Sequence, residues 1–238
     1  MEHEVEVRTL FDSVAHRWPS KFGNDASFAI RPDRFLTVLR SRLETDADVL
    51  DFGCGSGEIT RHLARAGYST TGCDASAAMI DVARNSDPEG LVKWLALPEK
   101  QTSTALPFES CSFDAIVASS VLEYVHCPER MIMEFYRVLR PGGWLFATVP
   151  DVRHVFRRRE RWVRLFAGKP GLSSLLRLTP WREGFSRLAL MINFLRPEAW
   201  VEMMQKAGLT VEPADPAADP LLLLAANRHA VEYGTSNS

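Results

Sequence analysis

Three glycines, Gly53, Gly55 and Gly57, alternate with Cys54 and Ser56 directly after the apolar run Val49-Leu50-Asp51-Phe52. Glycine lets a backbone approach a ligand closely and adopt conformations that a Cβ forbids. A glycine turn between a strand and a helix is therefore a place where main-chain groups can hold a small molecule. A dinucleotide turn has the spacing G-x-G-x-x-G and lays pyrophosphate on the helix N-terminus. Here the spacing is G-x-G-x-G, and Glu58 follows, a poor neighbour for phosphate in a first helical turn. The turn fits a nucleoside that carries no phosphate chain. A second acid supports this. Asp74 closes the segment Thr71-Gly72-Cys73-Asp74, about 20 residues beyond the first glycine, where a carboxylate at a strand end can accept both ribose hydroxyls. The same aspartate could cap a helix starting near Ala77, and one side chain can do both.

These residues need a scaffold that delivers them to one edge. From about residue 48, short apolar runs alternate with helical patterns, which predicts βα units and a parallel sheet. Strands are expected at 49–52, 68–73, 92–97, 115–119, 144–149, 209–212 and 221–227. Helices are expected at 58–66, 77–85, 129–139 and 197–207. In the third helix, Met131, Ile132, Phe135, Val138 and Leu139 form one apolar stripe. Pro141-Gly142-Gly143 should stop that helix and turn the chain into the next strand. One or two further helices should precede Asp48. The whole is expected to be a single domain over 1–238: an N-terminal helical lid (1–47), a core (48–150), a basic helical insertion (151–196), and a last helix with two strands (197–227).

The 238-residue chain is 46% hydrophobic and 24% charged, the make-up of an ordinary globular protein. Apolar runs such as Leu221 to Ala226 fall far short of the roughly 18 residues of a membrane span. The acidic start Met1-Glu2-His3-Glu4 lacks the apolar stretch of a secretory signal. Cys54, Cys73, Cys111 and Cys127 show neither paired nor zinc-finger spacing, so they are expected to be reduced thiols in a cytoplasmic protein. No metal site is expected.

The segment Val49-Leu50-Asp51-Phe52-Gly53-Cys54-Gly55-Ser56-Gly57, then TTGCDASAAMI, LPFESCSFDAIVASSVLEYV and RVLRPGGWLF, stand in fixed order. Together they resemble the class I methyltransferases that use S-adenosylmethionine (SAM), in particular the subgroup with the ubiquinone and menaquinone biosynthesis enzymes. The likeness runs from about Asp48 to Val149 and more weakly to Leu224. It implies a Rossmann-like α/β fold with a seven-stranded, mostly parallel sheet and a helical lid inserted after the fifth strand. It also implies SAM as cofactor, with S-adenosylhomocysteine as product. Asp51 and the backbone of Gly53, Cys54, Gly55 and Gly57 would hold the methionine part. Asp74, with Ala75 beside it, would take the ribose. Met79 would pack on the adenine, or belong to ordinary core. Ser119 and Ser120 would line the pocket near the sulfonium, or simply end a strand. Relatives place an acid after the third strand to meet the adenine amino group. This chain has no Asp there, and Glu99 or Gln101 could substitute.

An oxygen acceptor of high pKa benefits from a general base. Glu123, Tyr124 and His126 after the fourth strand are the candidates, with His154 further on. The stretch Phe11 to Trp18 resembles the family's N-terminal lid helix, whose aromatics close over the cofactor. The segment 151–196 holds eleven Arg and Lys residues against three acids, a charge of +8 in a chain of −2. Trp162, Phe166, Trp181 and several leucines interleave with them. Such a segment suits a carboxylate or phosphate, or peripheral contact with an anionic membrane or lipid-like substrate; it could also be a solvated lid. The confined basic excess argues against nucleic acid. The leading expectation is methyl transfer to a small molecule, at an oxygen of an anionic or amphiphilic acceptor. The competing readings are a non-catalytic SAM-binding protein and a nicotinamide-dependent oxidoreductase.

Overall fold

The computed structural model of the chain describes residues 2–98, 105–155, 157, 182–212 and 220–230. Seven strands form one sheet: β1 (Asp48–Phe52), β2 (Ser69–Asp74), β3 (Val92–Ala96), β4 (Phe113–Ser119), β5 (Leu139–Pro150), β6 (Thr210–Val211) and β7 (Leu221–Asn227). Their spatial order is β3-β2-β1-β4-β5-β7-β6. The first five strands run parallel, and β7 pairs antiparallel with both β5 and β6. The chain winds outward from β1 to β3, then returns to place β4 on the other side of β1. That reversal opens a crevice at the carboxyl ends of β1 and β4, the usual ligand position in an open α/β sheet.

Helices α5 (Glu58–Arg65), α6 (Ala77–Asn85), α7 (Pro128–Val138), α8 (Arg182–Leu190) and α9 (Pro197–Lys206) accompany the strands. Alternation along β1 decides what each face buries. Leu50 and Phe52 point to one side, where they join Ile116, Leu145 and Leu224 beneath Ile132 and Phe135 of α7 and Trp200 of α9. Val49 points to the other, with Ala115, Val117 and Phe146 beneath Ile59 and Leu63 of α5. Asp51 shares that second face and is 1% exposed, so the sequence places a carboxylate where a core residue would stand.

Expected and observed elements agree within one or two residues except at two places. Strand β5 begins at Leu139 and runs through Pro141-Gly142-Gly143 rather than after it. A register shift between Phe113 and Ala115 of β4 absorbs the extra residues, and Gly142 takes a φ of +86°. The N-terminal arm is also more broken than expected. It forms α1 (Glu2–Val14), a 3-10 turn (Ala15–Arg17), α2 (Pro19–Asn24), α3 (Ala26–Ala29) and α4 (Arg31–Arg40). Pro19 and Pro32 each sit in a first turn, and Asp25 caps α3 through the Ser27 amide. Proline favours starting a helix over continuing one, which divides the arm. No helix among the described residues is long and apolar enough to cross a membrane.

Candidate functional site

The turn after β1 is shaped by backbone that only glycine adopts readily. Gly53, Gly55 and Gly57 have φ of +71°, +55° and +81°. Gly57 opens α5 as its N-cap. A Cβ on Gly53 would lie 2.5 Å from the Val121 side chain, and one on Gly57 only 2.3 Å from the Trp94 ring. A Cβ on Gly55 would instead meet only the indole edge of Trp18, at 3.3 Å. Two glycines therefore serve packing, and the third faces the crevice beneath the edge of Trp18.

Asp74 supports this turn directly. Its Oδ2 accepts the Gly55 amide (2.9 Å) and its Oδ1 accepts the Ser76 amide (2.8 Å). Ser76, not Asp74, caps α6, its hydroxyl accepting the Met79 amide at 3.1 Å. Of the two roles open to Asp74, helix capping is thus already filled. Burial raises the Asp74 carboxyl above its ordinary range, against the opposing amides, and Asp12 adds to the rise. Ala75 is exposed beside it.

Asp51 accepts the Thr60 hydroxyl on Oδ2 (2.6 Å), and its buried Oδ1 has no hydrogen-bond partner among the described residues. Burial pushes this carboxyl up to about 7; the Thr60 hydroxyl opposes the shift, while Asp74 and Glu58 add to it. Burial also pushes the Cys54 thiol well up, which leaves it a neutral lining group.

Across the crevice, β4 ends at Ser119, whose buried hydroxyl likewise has no hydrogen-bond partner among the described residues. Ser120 stands in the left-handed region at φ +52°, unusual for a residue with a side chain and a feature that gathers at functional sites. Its amide donates to Thr148 Oγ1 at 3.0 Å. These two buried polar atoms and a glycine cradle fit a polar ligand with a cationic group on the Asp51 side.

The N-terminal arm covers this edge. Asp12 of α1 accepts the Ser76 hydroxyl at 2.6 Å. Trp18 meets Phe11 and Phe28 edge-on, with centroids 5.4 and 5.9 Å apart. Met79 is buried with Val14 and Ala15 of the arm. Arg187 of α8 lies over the Trp18 ring at 5.5 Å, and α8 packs on α1.

The three candidate bases separate. Glu123 is 2% exposed, and its carbonyl accepts the Ile192 and Asn193 amides at 2.9 and 3.1 Å. The Tyr124 ring packs edge-on against Phe11 at 5.4 Å. His126 is exposed. His154 donates its amide to the Asp151 carbonyl, outside the loop after β4. Glu99 and Gln101, and most of the basic insertion, lie outside the described residues. The cleft between Arg42, Glu44, Asp46 and Gly143 lies at the opposite end of the strands and gathers none of these groups. Trp18 and Asp12 lie within the stretch that resembles the family's lid helix; Trp94, Thr60 and Val121 carry no local signal in the sequence.

Comparison with known proteins follows the same lines. A family described as a methyltransferase domain matches residues 28–214. The chain is 33% identical to the ubiquinone biosynthesis O-methyltransferase of Xanthomonas oryzae pv. oryzae, over 89% of this chain and 86% of that one. It is 34% identical to the mitochondrial ubiquinone biosynthesis O-methyltransferase of Mus musculus over 58% of this chain, and there spans only 41% of the relative's length. Among solved structures, the N1-methyltransferase of 1,6-didemethyltoxoflavin from Burkholderia thailandensis, with S-adenosylhomocysteine bound, shares the fold. Its TM-score is 0.64 at 17% identity, covering 96% of this chain and 89% of that chain.

Proposed function

We propose, from the premise that this chain belongs to the class I SAM-dependent methyltransferases, in the subgroup with the ubiquinone and menaquinone biosynthesis enzymes, that it methylates an oxygen of an anionic or amphiphilic small molecule in the cytoplasm. The observation that carries this reading is the crevice between β1 and β4. A glycine cradle meets there a buried carboxylate oxygen and a buried serine hydroxyl that have no partner among the described residues.

SAM supplies a methyl group already activated on a sulfonium. In the transfer a carbon–oxygen bond forms as the carbon–sulfur bond breaks, and S-adenosylhomocysteine leaves. The work left to the chain is alignment and exclusion of water. Asp51 and the Gly53–Gly57 backbone, Cys54 included, hold the methionine end. Asp74 holds the ribose, with Ala75 beside it, and Met79 bounds the adenine side. Ser119 and Ser120 bound the space for the acceptor. The loop after β4 takes the acceptor's proton, through one of Glu123, Tyr124 and His126. Trp18 and Phe11 close over the edge and shed water.

The Asp51 assignment has a pH signature. A cationic amine beside Asp51 favours its ionised form, so its pKa falls from about 7 on binding. Binding then releases a proton, and affinity rises as pH increases towards 7 and levels off above it. Titration calorimetry with SAM at several pH values, in buffers of different ionisation enthalpy, should show that release. Asp51→Asn should remove it. A pH-independent affinity in the intact protein would place the amine elsewhere.

Tritiated SAM supplied with phenolic and quinol-type acceptors tests the reaction; absence of label transfer to any of them counts against it. Changing Arg157, Arg158 and Arg159 together to glutamine should leave SAM affinity unchanged. The acceptor's KM should rise, or binding to anionic vesicles fall, with an effect that shrinks as salt increases. Unaltered kinetics and vesicle binding at low salt would reduce the insertion to a solubilising surface.

A further inference from the structure

We propose that the indole N–H of Trp18 is a cofactor-binding donor that takes the carboxylate of SAM, an assignment that rests on reading the glycine turn as the cofactor site. The methionine end of SAM carries an ammonium and a carboxylate on one carbon. Asp51 answers the ammonium. The carboxylate needs a donor within reach of the same turn, against the opposing charges of Asp51, Asp74 and Glu58.

The turn itself has little to offer an anion. Gly53 and Cys54 donate their amides to the Cys73 carbonyl at 2.8 and 3.1 Å, and Gly57 donates to the Cys54 carbonyl at 3.0 Å. The Gly55 amide is taken by Asp74, and Ser56 is wholly buried. Each of these amides has a single proton to give. Arg61 of α5 lies behind the turn, where Nη1 donates to the Ser56 carbonyl at 2.7 Å and Nη2 pairs with Glu58 at 3.7 Å.

Trp18 supplies what the turn lacks. Its Nε1 and Cδ1 are the atoms that a Cβ on Gly55 would meet, at 3.3 and 3.6 Å, so the polar edge of the ring borders the glycine that faces the crevice. An indole N–H donates and cannot accept, which suits a carboxylate and does nothing for an ammonium. Among the described residues no hydrogen bond engages this N–H. Ring contacts hold the side chain in place. Phe11 and Phe28 meet it edge-on at 5.4 and 5.9 Å, and Lys21 and Arg187 lie over it at 5.1 and 5.5 Å. Side chains from α1, α2, α3 and α8 thus set the direction of the N–H before a ligand arrives, which lowers the ordering cost of the new bond. A hydrogen bond to a charged acceptor is stronger than one to a neutral acceptor. The N–H therefore does more than cover the site: it distinguishes a cofactor that keeps its carboxylate from one that has lost it.

Decarboxylated SAM tests this, because it keeps the sulfonium, amine, ribose and adenine and lacks only the carboxylate. Its binding and that of SAM to the full chain are measured by titration calorimetry. The variant is Trp18→Phe, which keeps a ring against Phe11 and Phe28 and loses the N–H. The wild type should bind SAM more tightly than the decarboxylated form. Trp18→Phe should lose about tenfold in affinity for SAM and stay within about twofold for decarboxylated SAM. Equal losses for both ligands would mark a ring that only covers the site, and no loss for either would leave the N–H without a role; each overturns the assignment. A second measurement needs no variant and decides alone should Trp18→Phe fail to fold. The Trp18 indole N–H resonance of the wild type should move downfield on adding SAM or S-adenosylhomocysteine and stay in place with decarboxylated SAM. The same shift with all three, or none with any, overturns the assignment as well. A wild type that binds neither SAM nor S-adenosylhomocysteine sinks the cofactor site and Trp18 with it. One that binds SAM and decarboxylated SAM alike overturns Trp18 alone.

Discussion

Gly55→Val should abolish SAM binding in a protein that still folds. The φ of +55° at this position is one that a β-branched residue resists, and a left-handed conformation costs about 1–2 kcal/mol for a residue with a Cβ. That is a fraction of a domain's stability, because the new Cβ meets only the edge of Trp18 at 3.3 and 3.6 Å. The isopropyl group would fill the crevice between the turn and Trp18 of the N-terminal arm, where the methionine part of the cofactor is proposed to lie. Gly57→Val gives the contrasting result. Its Cβ would land 2.3 Å from Trp94 and 2.9 Å from Arg61, both packed behind the turn, so stability falls and binding fails only as a consequence. Calorimetry and thermal melting together separate the two variants. A crystal of Gly55→Val with SAM bound in the proposed place would defeat the assignment.

That contrast also shows what the sequence could and could not reveal. The glycine spacing and the apolar runs are local signals, so the strand–turn–helix unit around Gly53–Gly57 was legible, as was Asp74 at the end of β2. Which glycine faces a ligand was not, because Trp94 and Val121 reach the turn through the fold. The sequence left Asp74 with two roles; Ser76, two residues on, fills the capping role and leaves the carboxylate to the turn. The meeting of Trp18 with Gly55 is silent in sequence, because it depends on the proline-divided arm folding back across the edge of the sheet. The left-handed backbone of Ser120 is equally silent in sequence, since serine has no preference for it, and its amide bond to Thr148 comes from the neighbouring strand. Strand β5 hid its true start because Pro-Gly-Gly reads as a turn, and only pairing with β4 shows that the strand continues through it.

Asp74→Ala should weaken SAM binding by about tenfold or more, on the basis of charge-assisted hydrogen bonds of about 1.5–3 kcal/mol each to the ribose hydroxyls. Loss of the acceptors for the Gly55 and Ser76 amides loosens the turn as well, so alanine should act harder than asparagine, which keeps one acceptor oxygen. Asparagine gives a second, independent readout. Burial and Asp12 raise the folded-state pKa of Asp74 above the ordinary value, so between those two values the native state binds more protons than the unfolded chain. By linkage, stability then falls as pH rises through that window, and the loss persists above it. An asparagine carries no such charge. The melting temperature of Asp74→Asn, measured against the wild type without ligand, should therefore shift in the variant's favour as pH rises from about 4, while its SAM affinity at neutral pH stays below the wild type's. The two trends run in opposite directions, as expected where a carboxylate is kept for a ligand at a cost to the fold. If Asp74→Ala melts normally and binds SAM within about twofold of the wild type, the ribose assignment is wrong, and the carboxylate serves only to brace Gly55.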